Sequence, residues 1–416
     1  MDNLIHFDLM IDHVPSYKLN LNSSDKNTLE LLNKISMESE SIDIECQVNL
    51  ISDETDIYAD TMYQFDKFYS TEGIVDNIKS KGKRAFYTGM VVLKKGINFL
   101  FGFITNLFKS SINVKGVLKK TFEKAKKYDK EIDKLISKKF PDDFEIESKD
   151  YAKRSNASLS LLRTIIMMTQ KAIDEASNIE EDDPILRGLK LAVSYSSIVL
   201  TFTDESANIT PEKVQSEIKK CEGDVSKTSL LKLFKGWTSK IWKSLFIAST
   251  NAKEKGTTSA NKAAADLKFH FTGNVDSYIK MIEKRSEKLK NLSELYSEEP
   301  VSKTVGANQL FAYFKDQIRL FLNISYKNNW DYSKSVQKLE KIRVRTIKAM
   351  EKINIDPNDS KSQQTIQGSI AILSEMGKSL RDLTPIVKSL LNNISSDIDN
   401  LMTEIAKAAS KAQKGI

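Results

Sequence analysis

Few residues of this chain are suited to bond chemistry. Its 416 residues include three histidines, His6, His13 and His270, and two cysteines, Cys46 and Cys221. A metal centre needs ligands clustered at fixed spacings, and a nucleophile needs a neighbouring base. His6 and His13 are close enough in sequence to suggest a metal pair, but read more simply as solvated side chains. The cysteines are distant and in unlike contexts, so they read as reduced structural thiols and not as a disulfide framework. There is no Gly-x-x-x-x-Gly-Lys-Ser/Thr phosphate loop, no Gly-x-Gly-x-x-Gly and no His-Glu-x-x-His. Acidic runs such as Glu180-Glu181-Asp182-Asp183 suit a solvated loop. No catalytic residue, cofactor or metal is expected, and the chain reads as non-enzymatic.

The available chemistry is electrostatic. The net charge is +7, unevenly placed. Residues 1–75 hold 4 Lys/Arg and 15 Asp/Glu, whereas residues 79–139 hold 17 Lys/Arg and 4 acids. Such a basic block attracts nucleic acid, anionic lipid or an acidic partner. Lys115, Lys119, Lys120, Lys124, Lys126 and Lys127 are the candidate polyanion-binding residues. The alternative is a solvated helix face. A second candidate lies in Leu230 to Ala248, where Leu230, Phe234, Trp237, Ile241, Leu245 and Ala248 form one stripe. Trp242 widens it, and Lys232, Lys235, Lys240 and Lys243 lie mostly outside it. The interaction face would be Phe234, Trp237, Ile241, Trp242 and Leu245. It suits a core, a protein groove, a membrane interface or stacked bases.

An aromatic, lysine-punctuated stretch precedes a lysine-rich helix three times. The helices are expected to open at Tyr128-Lys130-Ile132-Lys134, Tyr278-Lys280-Ile282-Lys284 and Tyr332-Lys334-Val336-Lys338. The first aromatic stretch contains the longest uncharged apolar run, Gly96 to Phe108, bounded by Lys94, Lys95 and Lys109. A helix needs about 20 residues to span a bilayer, so no transmembrane segment is read. The run suits a buried helical hairpin or, alternatively, a membrane-active segment.

The elements that must position these side chains are mostly helices. Apolar residues make up 40% of the chain, with 15 glycines and 7 prolines. Ile42, Ile44, Cys46, Val48 and Leu50 alternate with polar residues, which predicts a strand. From about residue 54 the period is helical, as in Tyr58, Met62, Phe65 and Tyr69. Residues 83–139 read as two helices broken near Asn113, ending before Phe140-Pro141-Asp142-Asp143. Ser148 to Ser177 and Ile185 to about Phe202 read as helices, the latter with Pro184 in its first turn. Thr210-Pro211-Glu212 marks a further helix start. Lys253 to Asn261 reads as a linker. Residues 360–413 read as helices broken near Thr384-Pro385, with Leu390, Ile394, Ile398, Leu401 and Ile405 as a partner-helix face. The expected fold is mainly α: multi-helix antiparallel bundles with a small N-terminal β-like segment. The expected division is an acidic segment 1–38, a helical domain 39–252 and a C-terminal helical domain 262–416.

Three features resemble the internal head and other virion structural proteins of large tailed bacteriophages. Ser36-Met37-Glu38 fits a small-residue-x-Glu maturation site, with cleavage after Glu38. Segments 83–112 and 230–248 are amphipathic and rich in Phe, Trp and Lys. Lysine-rich helices follow them. The resemblance implies a non-enzymatic virion protein, made in host cytoplasm and packaged with DNA after loss of a propeptide. Its implied partners are other virion proteins and DNA. Residues 1–38 hold 3 Lys/Arg and 6 acids, so their removal would raise the net charge from +7 to +10. A pore-forming-like protein using segment 96–108 and a cytosolic helical scaffold are the alternatives.

Overall fold

A 60-residue helix, α1 (Ile78–Ser137), opens the described part of the chain. The computed structural model describes residues 78–178, 184–203, 209–248, 269–271, 275–352 and 360–414. The proposed cleavage site, the 42–50 alternation, the Tyr58–Tyr69 stripe and the 253–261 linker lie outside them. All described residues belong to one compact unit, Ser41–Ile416, and 86% of them are helical.

The expected break near Asn113 is absent, because α1 runs straight through it. An asparagine inside a helix costs roughly 0.5 kcal/mol relative to alanine. The core contact continues on both sides of it: Leu107, Phe108 and Ser111 are buried before, Val114 and Leu118 after. Each buried apolar side chain is worth about 1.5–3 kcal/mol, so packing outweighs propensity. At about 1.5 Å per residue α1 is roughly 90 Å long.

After α1 come β1 (Glu145–Lys149) and α2 (Tyr151–Ser177). Asp150 caps α2 by accepting a hydrogen bond from the Lys153 amide. The helix therefore starts at Tyr151, not Ser148, and the preceding residues form a strand. β1 pairs antiparallel with β4 (Ser302–Gly306), Glu145 opposite Gly306 and Lys149 opposite Ser302. That partner is remote in sequence, so no local pattern announced it.

Next is α3 (Pro184–Thr203), which begins at its proline and is buried almost all round. α3 is long and apolar enough to cross a membrane by length and composition, but 89% of its apolar window is buried inside the fold. Gly188 lies where α9 crosses, and an added Cβ there would sit 3.1 Å from the Thr346 methyl. The short α4 (Pro211–Lys220) has the expected cap: Thr210 accepts from the Lys213 amide and Pro211 follows. Its C-terminus turns through Glu222 and Gly223, both at positive φ. α5 (Ser229–Leu245) then leads into β2 (Phe246–Ala248), which pairs antiparallel with β3 (Phe269–Phe271).

The remaining helices are α6 (Val275–Glu283), α7 (Ser286–Ser297), α8 (Ala307–Lys327), α9 (Ser333–Glu351) and α10 (Ser360–Lys414). α10 packs along α1, α2, α3 and α7. Residues from 39–252 and from 262–416 thus share one core and do not hold one each. α10 also lacks its expected break, since Pro385 lies inside it. An internal proline costs about 3 kcal/mol and one backbone hydrogen bond. Here it sits exposed, flanked by buried Leu383, Ile386 and Val387, and solvent can reach the carbonyl it leaves free. The stripe Leu390, Ile394, Ile398, Leu401, Ile405 is at most 2% exposed, so its partner is this chain's own core.

The tyrosine-lysine pattern does not mark three equivalent helix openings. Tyr128 is deep inside α1, Tyr278 is in α6, and only Tyr332 precedes its helix. The shared spacing reflects helical amphipathicity without a structural repeat.

A buried ion pair joins α2 to α10. Arg154 Nε and Nη2 donate to Asp397 Oδ2 and Oδ1, both at 2.6 Å. Arg154 Nη1 also donates to the Glu298 carbonyl. Asp397 is fully buried. Deleting one partner leaves an uncompensated charge, so Asp397→Ala should cost about 3–5 kcal/mol. The double variant Arg154→Met/Asp397→Leu should recover most of that loss. Urea denaturation midpoints check both; a double variant as unstable as Asp397→Ala would contradict this account.

Candidate functional site

The six candidate lysines, Lys115, Lys119, Lys120, Lys124, Lys126 and Lys127, are all exposed on α1. Val114, Leu118, Thr121, Ala125 and Ile132 bury the opposite side, so helical geometry directs the lysines outward. Residues 109–139 contain 11 lysines and 4 acids. Two of the acids, Asp129 and Asp133, hold the buried Lys315 ammonium of α8 at 2.7 and 2.6 Å. The other two, Glu123 and Glu131, lie 3.8 Å from Lys126 and Lys127. Lys124 pairs with Asp399 of α10 at 3.1 Å, and Lys126 sits over the Phe122 ring. Exposed pairs of this kind contribute about 0–1 kcal/mol and are screened by salt. Lys115, Lys119 and Lys120 make no ion pair among the described residues. The arrangement is a cationic surface that a polyanion can occupy without rearranging the fold.

Of the readings open to the second candidate face, its burial selects the core. Phe234, Ile241 and Leu245 are at most 2% exposed, packed inward as α5 meets α3. Trp237 and Trp242 are half-buried at the edge. Arg285 and Lys240 flank the Trp237 ring at 5.4 and 5.8 Å, and Lys190 lies 5.4 Å from the Trp242 ring. Arg285 is held in turn by the Thr203 carbonyl at 3.0 Å. An amphipathic stripe with Trp and Lys fits a core as well as a membrane, and here the core uses it. The same holds for Gly96–Phe108: Ile97, Leu100, Phe101, Phe103, Ile104, Leu107 and Phe108 are at most 1% exposed. Phe103 meets Tyr195 edge-on and Phe108 stacks on Tyr332. A membrane role for this run would require it to leave the core.

One polar cluster was missed by sequence reasoning. Glu375 of α10 is 1% exposed, and neither carboxylate oxygen accepts a hydrogen bond. Its nearest cation is Lys378, 3.3 Å away, which Glu283 of α6 shares at 3.3 Å. Asp382, one turn further on, accepts from Ser286 of α7 at 3.0 Å. Burial pushes the Glu375 carboxyl up to about 7; Lys378 opposes this, and Glu283 and Asp382 add to it. Burial likewise raises Asp382. The available signal was an acid set among core-spaced Ile372, Leu373, Met376 and Leu380.

Among the described residues no group of three His, Cys, Asp or Glu is placed to hold a metal ion. A groove of about 230 Å³ between α4 and α8 is lined by Lys219, Glu222, Asp316, Gln317, Arg319 and Asn323. Two ion pairs, Lys219–Asp316 and Lys327–Glu222, span it. Cys221, at the end of α4, is a free thiol. No family model, no curated protein and no solved structure matches this chain.

Glu375 gives stability a pH dependence of definite sign. Its folded value, about 7, lies above the ordinary 4.5, so the folded state holds the proton more tightly. Its contribution is complete below about pH 4.5 and is lost as pH rises to about 7, a swing of about 3 kcal/mol. Glu375→Gln keeps the shape and removes the titration. The variant should be more stable than the parent at pH 8 and show a flatter profile between pH 5 and 7. Chemical denaturation at both pH values checks this, and an unchanged slope would remove Glu375 as its source.

Proposed function

We propose that this chain is a non-enzymatic structural protein that presents a polycationic helix to a polyanion. The setting we propose is the one its sequence resembles, the head of a large tailed bacteriophage, with residues 1–38 removed during assembly. The observation that carries the reading is the charge distribution on α1. All six candidate lysines face solvent, while Asp129 and Asp133 are engaged by the buried Lys315. Two of the four acids in 109–139 are thereby paired with a cation from α8 and not with the lysines of α1. DNA in a packed compartment is a polyanion that exposed lysines neutralise, releasing condensed counterions. The rest of the fold suits a scaffold, with the aromatic segments used as core.

Two outcomes test this. Binding of duplex DNA to the full chain should weaken steeply with salt, with each phosphate contact adding about 0.9 to the slope of log affinity against log salt. Lys119→Gln/Lys120→Gln/Lys126→Gln/Lys127→Gln should flatten that slope by roughly 3 to 4 units. Affinity that neither salt nor these changes alters would end the polyanion reading. In purified particles, peptide mass spectrometry should find an N-terminus at Ser39, and Glu38→Ala should retain the leader. Absence of the protein from particles, or normal trimming of the variant, would overturn the virion setting.

A further inference from the structure

The polyanion reading rests on α1, but α9 carries a more regular cationic row. Lys334, Lys338, Lys341, Arg345, Lys348 and Lys352 follow one another at steps of 4, 3, 4, 3 and 4. In an α-helix those steps keep side chains on one narrow face. All six are exposed, and the row extends roughly 27 Å at 1.5 Å per residue. The buried side of α9 is formed by Leu339, Ile342, Thr346 and Met350.

No acid of α9 lies within the row. The acids within α9 are used elsewhere: Glu340 binds Arg343, off the row, and Glu351 binds Lys94 of α1 at 2.7 Å. Lys334, Lys341, Lys348 and Lys352 make no ion pair among the described residues. Lys338 pairs with Asp174 at 2.5 Å, with both side chains more than half exposed. That pair can give way to a competing anion at little cost. A solvated helix face ordinarily mixes both signs, which this one does not.

The row also joins the α1 lysines. Glu351 at the C-terminal end of α9 binds Lys94, while Asp331 before its N-terminus lies in the field of both Lys115 and Lys334. α9 therefore runs antiparallel beside residues 94–115 of α1. The α1 lysines, from Lys115 onward, begin beside the N-terminal start of α9, so the two arrays follow one another along the axis of α1.

We propose that the α9 row is a second nucleic-acid face, continuous with the α1 lysines, that tracks the phosphate backbone of a duplex. This deepens the polyanion reading and rests on it. A duplex presents about one phosphate per 1.7 Å of its axis, so a straight cationic row meets charge at every step without a required register. The row's surroundings favour a backbone over single-stranded bases or lipid. Tyr326, on α8, is the one exposed large aromatic among the described residues, and Val344 is the one exposed large apolar residue of α9. Base stacking needs aromatic platforms and membrane insertion needs an apolar face.

The test uses the full chain, a labelled mixed-sequence DNA duplex and a salt titration followed by fluorescence anisotropy. Lys334→Gln/Lys341→Gln/Lys348→Gln/Lys352→Gln should bind roughly tenfold more weakly at low salt and lose roughly 3 to 4 units of slope. Arginine at the same four positions should restore both. Circular dichroism should show unchanged helix content, since all four side chains are exposed. A glutamine variant that binds as the parent does, while the α1 variant loses affinity, would overturn this proposal and leave the α1 reading standing. A parent chain that does not bind the duplex would overturn both. Loss of binding to phosphatidylglycerol vesicles with duplex binding intact would make the row a lipid face and overturn the proposal.

Discussion

Long amphipathic helices have a register problem, and buried polar contacts resolve it here. An apolar stripe repeats every three to four residues, so two such helices can slide by one turn and still bury oil against oil. A buried charge cannot slide, because its desolvation costs several kcal/mol when its partner is misplaced. Arg154 and Asp397 fix α10 against α2. Asn393 adds a second point on the same pair of helices, donating to Ser158 and to the Tyr296 carbonyl. Asn156 and Gln317 tie α2 to α8, and Lys315 ties α8 to α1. The apolar side chains supply most of the stabilisation, and these few contacts select one alignment.

That internal arrangement shapes the outside. Asp129 and Asp133 serve Lys315, Asp397 serves Arg154 and Glu375 is enclosed near Lys378. Asp397 and Glu375 are buried, while Asp129 and the exposed Asp133 are paired with Lys315 and not with the lysines of α1. The lysines of α1 and α9 are left exposed because their helices bury the opposite side. Helical geometry, with no dedicated motif, produces cationic faces from a chain of modest net charge. Glu375 runs the other way: an acid kept in the core destabilises the fold as it ionises, so it contributes nothing to stability at neutral pH.

The aromatic segments show why sequence alone left two surfaces open between core, partner and membrane. Leu230–Ala248 and Gly96–Phe108 have the composition of interfacial helices, yet Phe234 and Phe108 are fully buried. A hydrophobic stripe records only that something apolar must cover it. Whether the cover is lipid, a partner or the same chain depends on residues far away in sequence, here α3 for α5 and α8, α9 and α10 for α1.

By itself the sequence determined the fold class, the caps at Thr210 and Pro184, the outward lysines of α1 and the stripe of α10. Each follows from local spacing, which a helix translates directly into direction. The six-cation row of α9 is equally legible as spacing, though the tyrosine-lysine pattern takes in only its first two lysines. Tertiary structure alone decided the rest. It carried α1 past Asn113 and α10 past Pro385, because packing on both sides outweighed a local penalty of at most about 3 kcal/mol. It paired β1 with a strand more than a hundred residues away. It also made Glu375 a group that titrates near neutrality, since a carboxyl's proton affinity is set by the burial and charges around it.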